Sequence, residues 1–388
     1  MFRFDPYSPE VDADPFPAYR VLRDEHPCFW SEEARMWVLS RHADIVQALG
    51  DWRTYSSASG NLLDELPNRA GSTLGTTDPP HHDRLRGLVK HAFARRNLDY
   101  LEQDIRRTAR AAALQLVDLG RFDLVKDFSS KVSVQTLFRL LGLPPGDDDL
   151  VREKAVLMVQ SDPKTRGKGP EHIAAYQWMQ DYAGRVIAER TSNPGEDLIS
   201  QFALAEIDGD RLDAREVLLT TTTLIMAGIE SLGGFLVMFA LNLADHPEAR
   251  RRCAGAPDRL ADAIEESLRF NTSAQRFKRR ATRDVELHGQ TIREGDFVCM
   301  AYGAGNRDER KFPDPDRYDI DRQPAGHLGF GGGVHACIGA PIARMTTRLA
   351  FEELHAVAPD YSRTDEPLAW MPSSTFRSPL ALPLVLTG

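Results

Sequence analysis

Cysteine is scarce in this chain, four in 388 residues, and Cys28, Cys253, Cys299 and Cys337 stand far apart with no C-x-x-C among them. That spacing argues against a disulfide framework and against a cysteine-rich zinc site. Positive charge is short too: the formal net charge is −9, which disfavours nucleic acid as a general partner because phosphate binding needs a large basic surface. No run reaches the ~20 apolar residues of a membrane span. The opening "MFRFDPYSPEVDADPFPAYR" has no apolar core of the length a signal peptide needs. No Gly/Ser-rich or Pro-rich linker divides the sequence and no internal repeat is visible. The expectation is a soluble, cytoplasmic protein with no membrane and no nucleic acid among its partners, and with residues 1–388 forming a single domain.

Apolar residues make up 42% of the chain, enough for a large core. Helical spacing dominates: 15–26, the basic "HDRLRGLVKHAFARR" (82–96), 100–119 and 173–190 each carry apolar residues three and four apart. The longest such stretch runs from about Asp213 to Asp245, with an acidic start and a stop at "HPE". Its middle is apolar on almost every side, so it should run buried through the centre of the fold. Strand-like segments are few: 35–40, 277–289, 290–303 and 380–386. From Asn306 to Asp321 the chain is a proline- and charge-rich meander. The pattern predicts a mainly α fold with a small β-sheet region.

One cysteine stands apart. The stretch "GFGGGVHACIGAPIARM" (329–345) sets Cys337 in a glycine-rich turn just ahead of a helical pattern. Gly331, Gly333 and Ala336 fit a G-x-G-x-x-A dinucleotide fingerprint, but that fingerprint follows a hydrophobic strand and here "YDIDRQPAGHLGF" precedes. A zinc site on His335 and Cys337 lacks nearby partners of the right spacing. The plain reading of a lone cysteine is a buried, inert one. Against it, a thiol delivered just ahead of a helix meets free backbone N–H groups and the helix dipole, which favour a thiolate. Such a thiolate suits the axial position of haem iron.

Phe330, Gly333, His335, Cys337 and Gly339, followed by Ala343 and Arg344, match F-x-x-G-x-[HR]-x-C-x-G and its trailing A-R. This resembles the haem-ligand loop of the cytochrome P-450 family, and other landmarks follow in that family's order over almost the whole chain. "AGIES" (227–231) looks like the oxygen-activation segment A-G-x-[DE]-T, with Glu230 as the acid and Ser231 in place of threonine. "EESLR" resembles the E-x-x-R element, Glu266 and Arg269, expected to form an ion pair that braces the cysteine loop with an arginine such as Arg317. "DPPHHDRLR" resembles the D-P-P-x-H-x-R-x-R helix start.

The resemblance implies a P-450 fold with heme b (iron protoporphyrin IX) between the long central helix and the cysteine loop. It implies Cys337 as the iron ligand, Phe330 and Gly339 beside it, and His82, Arg86, Arg279 and His335 as partners of the haem propionates. Ala227, with Gly228, would let O2 and substrate approach the helix backbone, while Glu230 and Ser231 relay protons. The activity implied is a monooxygenase that hydroxylates or O-demethylates a small to medium apolar molecule. Electrons would come from a [2Fe-2S] or similar ferredoxin with an NAD(P)H-dependent reductase, received at a basic cluster of Arg84, Lys90, Arg95 and Arg96, and the protein would act as a monomer. The substrate pocket is expected from segments 56–77, 148–180, 222–227, 271–277 and 372–378. Alternatives are a peroxide-driven peroxygenase on the same fold, since serine stands at 231, and a haem-based sensor without turnover.

Overall fold

The central helix organises the architecture. In the computed structural model, which describes residues 2–90, 99–207 and 209–387, it runs Ala214–Asp245, roughly 50 Å at 1.5 Å per residue. A reciprocal cap starts it: Glu216 N donates to Asp213 Oδ1 at 2.8 Å and Asp213 N to Glu216 Oε2 at 3.0 Å. It ends where His246 N and His246 Nδ1 both meet the Asn242 carbonyl and Pro247 opens the next helix. Among the described residues it alone is long and apolar enough to cross a bilayer, but most of its apolar stretch is buried inside the protein.

Helices Ser130–Leu141, Asp148–Val159 and Pro170–Ser192 pack against it. The approach is close: a Cβ on Gly228 would stand 2.5 Å from Leu137 Cδ1. Helices Leu101–Leu119 and Ala340–Val357 lie along one another, and Arg259–Phe270 packs on the second of them. One large apolar core runs through all of these elements.

The main sheet has five strands, in spatial order Cys28–Ser31, Met36–Leu39, Phe297–Ala301, Arg276–Ala281 and Tyr55–Ser56. Only the Met36–Leu39 and Phe297–Ala301 pair is parallel. A three-stranded sheet joins Tyr361–Arg363, Pro383–Leu386 and Arg121–Asp123. The segments expected to be continuous at 277–289 and 290–303 each break in two. Val285–Leu287 and Gln290–Ile292 form a separate hairpin whose turn residues His288 and Gly289 both have positive φ, 51° and 73°, as a tight two-residue hairpin requires.

The meander from 306 to 321 forms no helix or strand and wraps a fully buried ion pair. Arg269 Nε and Nη2 meet Glu266 at 2.8 and 2.7 Å, and both side chains are 0% exposed. Arg269 also donates to the carbonyls of Asn306, Pro315 and Arg317. The third arginine is not Arg317, whose exposed guanidinium pairs with Asp319. It is Arg322, with Nε 3.2 Å from Glu266 Oε1.

Breaking a buried pair leaves an uncompensated charge, so Arg269→Ala should cost about 3–5 kcal/mol. Arg322→Ala should cost about 1–2 kcal/mol, and Arg317→Ala less than about 0.5 kcal/mol, as for exposed ion pairs. Denaturant titration of the three variants checks this ranking, and equal losses for Arg317 and Arg322 would contradict it.

Candidate functional site

The glycine-rich loop folds back on itself before it enters the helix at Ala340. Cys337 N donates to the Phe330 carbonyl at 3.0 Å, Gly331 N to Leu328 O at 2.9 Å and Ala336 N to Gly333 O at 3.2 Å. Gly333 has φ +62°, and a Cβ there would lie 1.9 Å from the Leu49 carbonyl oxygen, so no other residue fits. Asn306 ties the loop to helix 259–270, accepting from Leu328 N at 2.6 Å and donating to Leu268 O at 3.1 Å. Arg344, just past the loop, grips Glu265 through Nε and Nη2 at 2.6 and 2.8 Å while its guanidinium lies 4.7 Å over the Phe330 ring. His327 meets Glu265 at 3.0 Å. Although burial opposes it, Arg344 and His327 hold the Glu265 carboxyl down to about 2.

Cys337 is exposed although it sits deep in the protein, so its thiol lines an interior space. From sequence, the helix start is expected to favour the thiolate. The N–H groups of Gly339 and Ala340 do bond the sulfur, and Arg86 and Arg344 add positive potential, yet burial outweighs them and the free thiol's pKa is pushed up. Gly339 leaves the sulfur uncrowded: a Cβ there would be 3.8 Å from Sγ.

Four predicted cofactor-binding residues converge beside this loop. His82, on helix His81–Lys90, stacks edge-on to His335 with ring centroids 4.6 Å apart. His82 Nε2 and both ring nitrogens of His335 are buried without a hydrogen-bond partner. Arg279, from the sheet, is buried too; its Nη1 donates only to the neighbouring Lys278 carbonyl, at 2.8 Å, and Tyr302 supports it. Arg86 Nη2 donates to the Ala336 carbonyl at 2.9 Å. Burial pushes the His335 pKa down, with Asp78 opposing and Arg279 and His82 adding to the shift. Tyr302 escaped the sequence reading, because nothing local marks a residue whose role depends on what the sheet packs beside it, and Asp78 entered it only as the first residue of the "DPPHHDRLR" motif, with no role assigned to it.

On the central helix, Leu224, Ala227, Gly228 and Ser231 are part-buried, as are Thr223, Glu230 and Gly233, while Ile225, Met226, Ile229 and Leu232 are buried. The spacing of i, i+3, i+4 and i+7 puts the first four on one face. The Ser231 hydroxyl donates to the Ala227 carbonyl one turn back, which keeps it on this strip. Glu230 lies beside Ser378 and within the field of Arg152; burial dominates both and pushes its carboxyl up to about 7.

Three of the segments expected to line a substrate pocket are knotted together. Lys168 Nζ stands 3.2 Å from Asp64 Oδ2, with 5% and 4% of the side chains exposed. Ser374 Oγ bonds Asp64, Ser374 N donates to Ser161 Oγ at 3.0 Å, and Ser373 Oγ donates to Val159 O at 2.7 Å. The sequence carried no sign of this pair, 104 positions apart by number. The basic cluster is only partly as expected: Arg84 is taken up by Asp210 and Glu216 at 2.7 Å each, Lys90 is exposed, and Arg95 and Arg96 lie outside the described residues.

The family description Cytochrome P450 matches residues 167–354. The chain is 33% identical over 386 residues to a cytochrome P450 of Mycobacterium tuberculosis, covering 98% of this chain and 96% of that one. It is 35% identical over 364 residues to the mycinamicin IV hydroxylase/epoxidase of Micromonospora griseorubida, covering 92% and 90%. The structure of a cytochrome P450 from Chondromyces apiculatus matches with a TM-score of 0.90 at 31% identity, covering 99% of this chain and 98% of that one. The chain thus belongs to the cytochrome P450 family: it is a haem-thiolate monooxygenase of the bacterial type.

The residues fit the haem this family implies. A deep thiol borders an interior space, a strip of part-buried small residues crosses the mostly buried middle of the central helix, and unpartnered ring nitrogens cluster with a buried arginine where two carboxylates would be welcome.

Lys168→Met should strand Asp64 and cost about 3–5 kcal/mol, whereas adding Asp64→Asn should recover much of the loss. Thermal unfolding of the single and double variants measures it; an unchanged Tm in the single variant would show that the knot is not a stabilising contact.

Proposed function

We propose that this P450 is a cytoplasmic enzyme, one catalytic domain over 1–388, that carries heme b and hydroxylates or O-demethylates a small to medium apolar molecule. Its electrons come from NAD(P)H through a reductase and a [2Fe-2S] or similar ferredoxin. The observation that carries this reading is Cys337, a deep yet accessible thiol in a loop braced from two sides.

The haem, when bound, supplies the iron at which dioxygen is activated. Cys337 Sγ would hold that iron, and the N–H groups of Gly339 and Ala340 with Arg86 and Arg344 favour the anionic form of the sulfur. Arg86 and Arg279 would pair with the propionates, and His82 and His335 would hydrogen-bond them. Ala227 and Gly228 keep the helix face low enough for oxygen and substrate. Ser231, anchored to the Ala227 carbonyl, offers its hydroxyl oxygen on the same face. Glu230, poised near neutrality, accepts and releases the protons consumed. Part-exposed Leu74, Leu224, Ala274 and Phe277 support an apolar substrate. The mycinamicin relative is named as a hydroxylase/epoxidase, which supports C–H or C=C oxidation. A ferredoxin would meet exposed Lys90 near the cysteine loop.

Product formation with NADH, ferredoxin and reductase, compared with peroxide alone, tests the reading on substrates found by their shift of the haem spectrum. Faster turnover with the carriers is expected. Faster turnover with peroxide would make the protein a peroxygenase, and spectral binding without turnover by either route would make it a sensor. Cys337→Ala should lose the thiolate-type carbon monoxide spectrum, while Cys28→Ala, Cys253→Ala and Cys299→Ala keep it.

Ser231→Ala should raise the share of NADH electrons lost as hydrogen peroxide roughly twofold or more, and Ser231→Thr should keep or improve coupling. Glu230→Gln should lower turnover about tenfold with haem content unchanged. A proton donor works in its protonated form, so turnover should fall as pH rises through about 7, where burial has pushed the Glu230 carboxyl. That limb should vanish in Glu230→Gln, as pH-rate profiles will show.

A further inference from the structure

Glu230 stands on the face of the central helix beside the accessible strip. It also lines a cavity of about 40 Å³ between the central helix, helices 130–141 and 148–159 and the C-terminal segment near 371–380. That volume holds a water molecule or two. The cavity's only charged lining residues are Glu230 and Arg152, and Ser129, Ser130, Ser133 and Ser378 supply hydroxyls. Leu380, 46% exposed, forms part of its wall, which places the cavity beside the outer surface.

Two consecutive glycines of the central helix make this space. A Cβ on Gly233 would lie 3.1 Å from Ser133 Oγ, and one on Gly234 would lie 3.5 Å from Ser378 Oγ and 3.7 Å from Glu230 Oε1. A side chain at 234 would thus intrude between the acid and the serine. The sequence "ESLGG" keeps that gap open one helical turn from Ser231.

We infer that Ser378 and this hydroxyl-lined cavity are the route by which solvent protons reach Glu230, with Ser378 as the positioning residue that hands them over. The inference rests on the reading of Glu230 as proton carrier. In each transfer the Ser378 O–H gives its proton to the Glu230 carboxylate as Ser378 Oγ takes one from a cavity water, and bulk solvent restores that water; no electron moves. Arg152 faces the same space from helix 148–159 and favours the carboxylate, while burial favours the neutral acid, so both forms of Glu230 are accessible near neutral pH. No other titratable side chain lines the cavity from the elements packed around it, among the described residues.

The test uses haem-loaded Ser378→Ala and Ser378→Thr beside the parent and Glu230→Gln. The infrared carbonyl band of protonated Glu230, assigned by its loss in Glu230→Gln, is titrated with pH, and the solvent isotope effect on NADH-driven product formation is measured. Ser378→Ala removes the neighbouring hydroxyl that favours the charged form, so the band's midpoint should move up by about half to one pH unit. The isotope effect should rise about twofold and kcat fall roughly three- to tenfold with KM unchanged; Ser378→Thr should restore all three. Should Ser378→Ala fail to load haem, Ser133→Val, which blocks the cavity from its other wall, carries the same expectation for the isotope effect. An unshifted band and an unchanged isotope effect, with Glu230→Gln still slow, would overturn the route and leave Glu230 in its role. Parent-like turnover by Glu230→Gln would remove the proton carrier itself, and the route with it.

Discussion

The buried pair of Glu266 and Arg269 is the constraint on which the rest of the structure depends. Two charges with no solvent exposure are tolerable only when every donor and acceptor is used, and here the guanidinium holds Glu266 and the carbonyls of Asn306, Pro315 and Arg317 at once. Those demands fix the course of a meander that has no secondary structure of its own. The neighbouring Glu265 points elsewhere and takes His327 and Arg344 from either side of the cysteine loop. One short helix therefore sets both the meander and the loop, and Asn306 links the two. Replacing this network with apolar residues would fill the volume but would not specify where Cys337 stands.

The same economy explains the unusual groups nearby. A buried polar atom without a partner costs about 1–3 kcal/mol, yet His82 and His335 leave three ring nitrogens in that condition next to a buried arginine. Such a cluster makes physical sense as a receptor for carboxylates, because each unpaired donor then acquires a charged acceptor. Asp78, which receives Ser57 N at 3.0 Å and lies 3.8 Å from His335, keeps the cluster oriented from the protein side.

Around the central helix, polarity is sorted by face. One strip carries small residues and the Ser231 hydroxyl; the next carries Glu230 toward serines and Arg152; the stretch Phe235–Leu241 beyond them is apolar and packed. Over the expected binding region, the Asp64 and Lys168 pair joins chain segments that are distant in sequence. Burial lowers the Lys168 pKa and Asp64 opposes the shift, so here charge joins segments where most of the surrounding core relies on apolar contact.

Much of this was legible from residue order alone. The helices, the cap at Asp213 and the glycine-rich turn before Cys337 are encoded within a few residues, because backbone hydrogen bonding and φ preference act locally. The candidate site residues were legible for a related reason: the motifs that carry them are short and rigidly spaced. Sequence alone did not supply Arg322 as the third member of the Glu266 network, the neutralisation of Arg84 by Asp210 and Glu216, the breaks in the strands at 282–284 and 293–296, or the upward shift of the Cys337 thiol. Each of these is decided by which groups burial brings together from far along the chain. A charge's partner and a thiol's pKa are properties of the space around them, and only the tertiary structure fills that space.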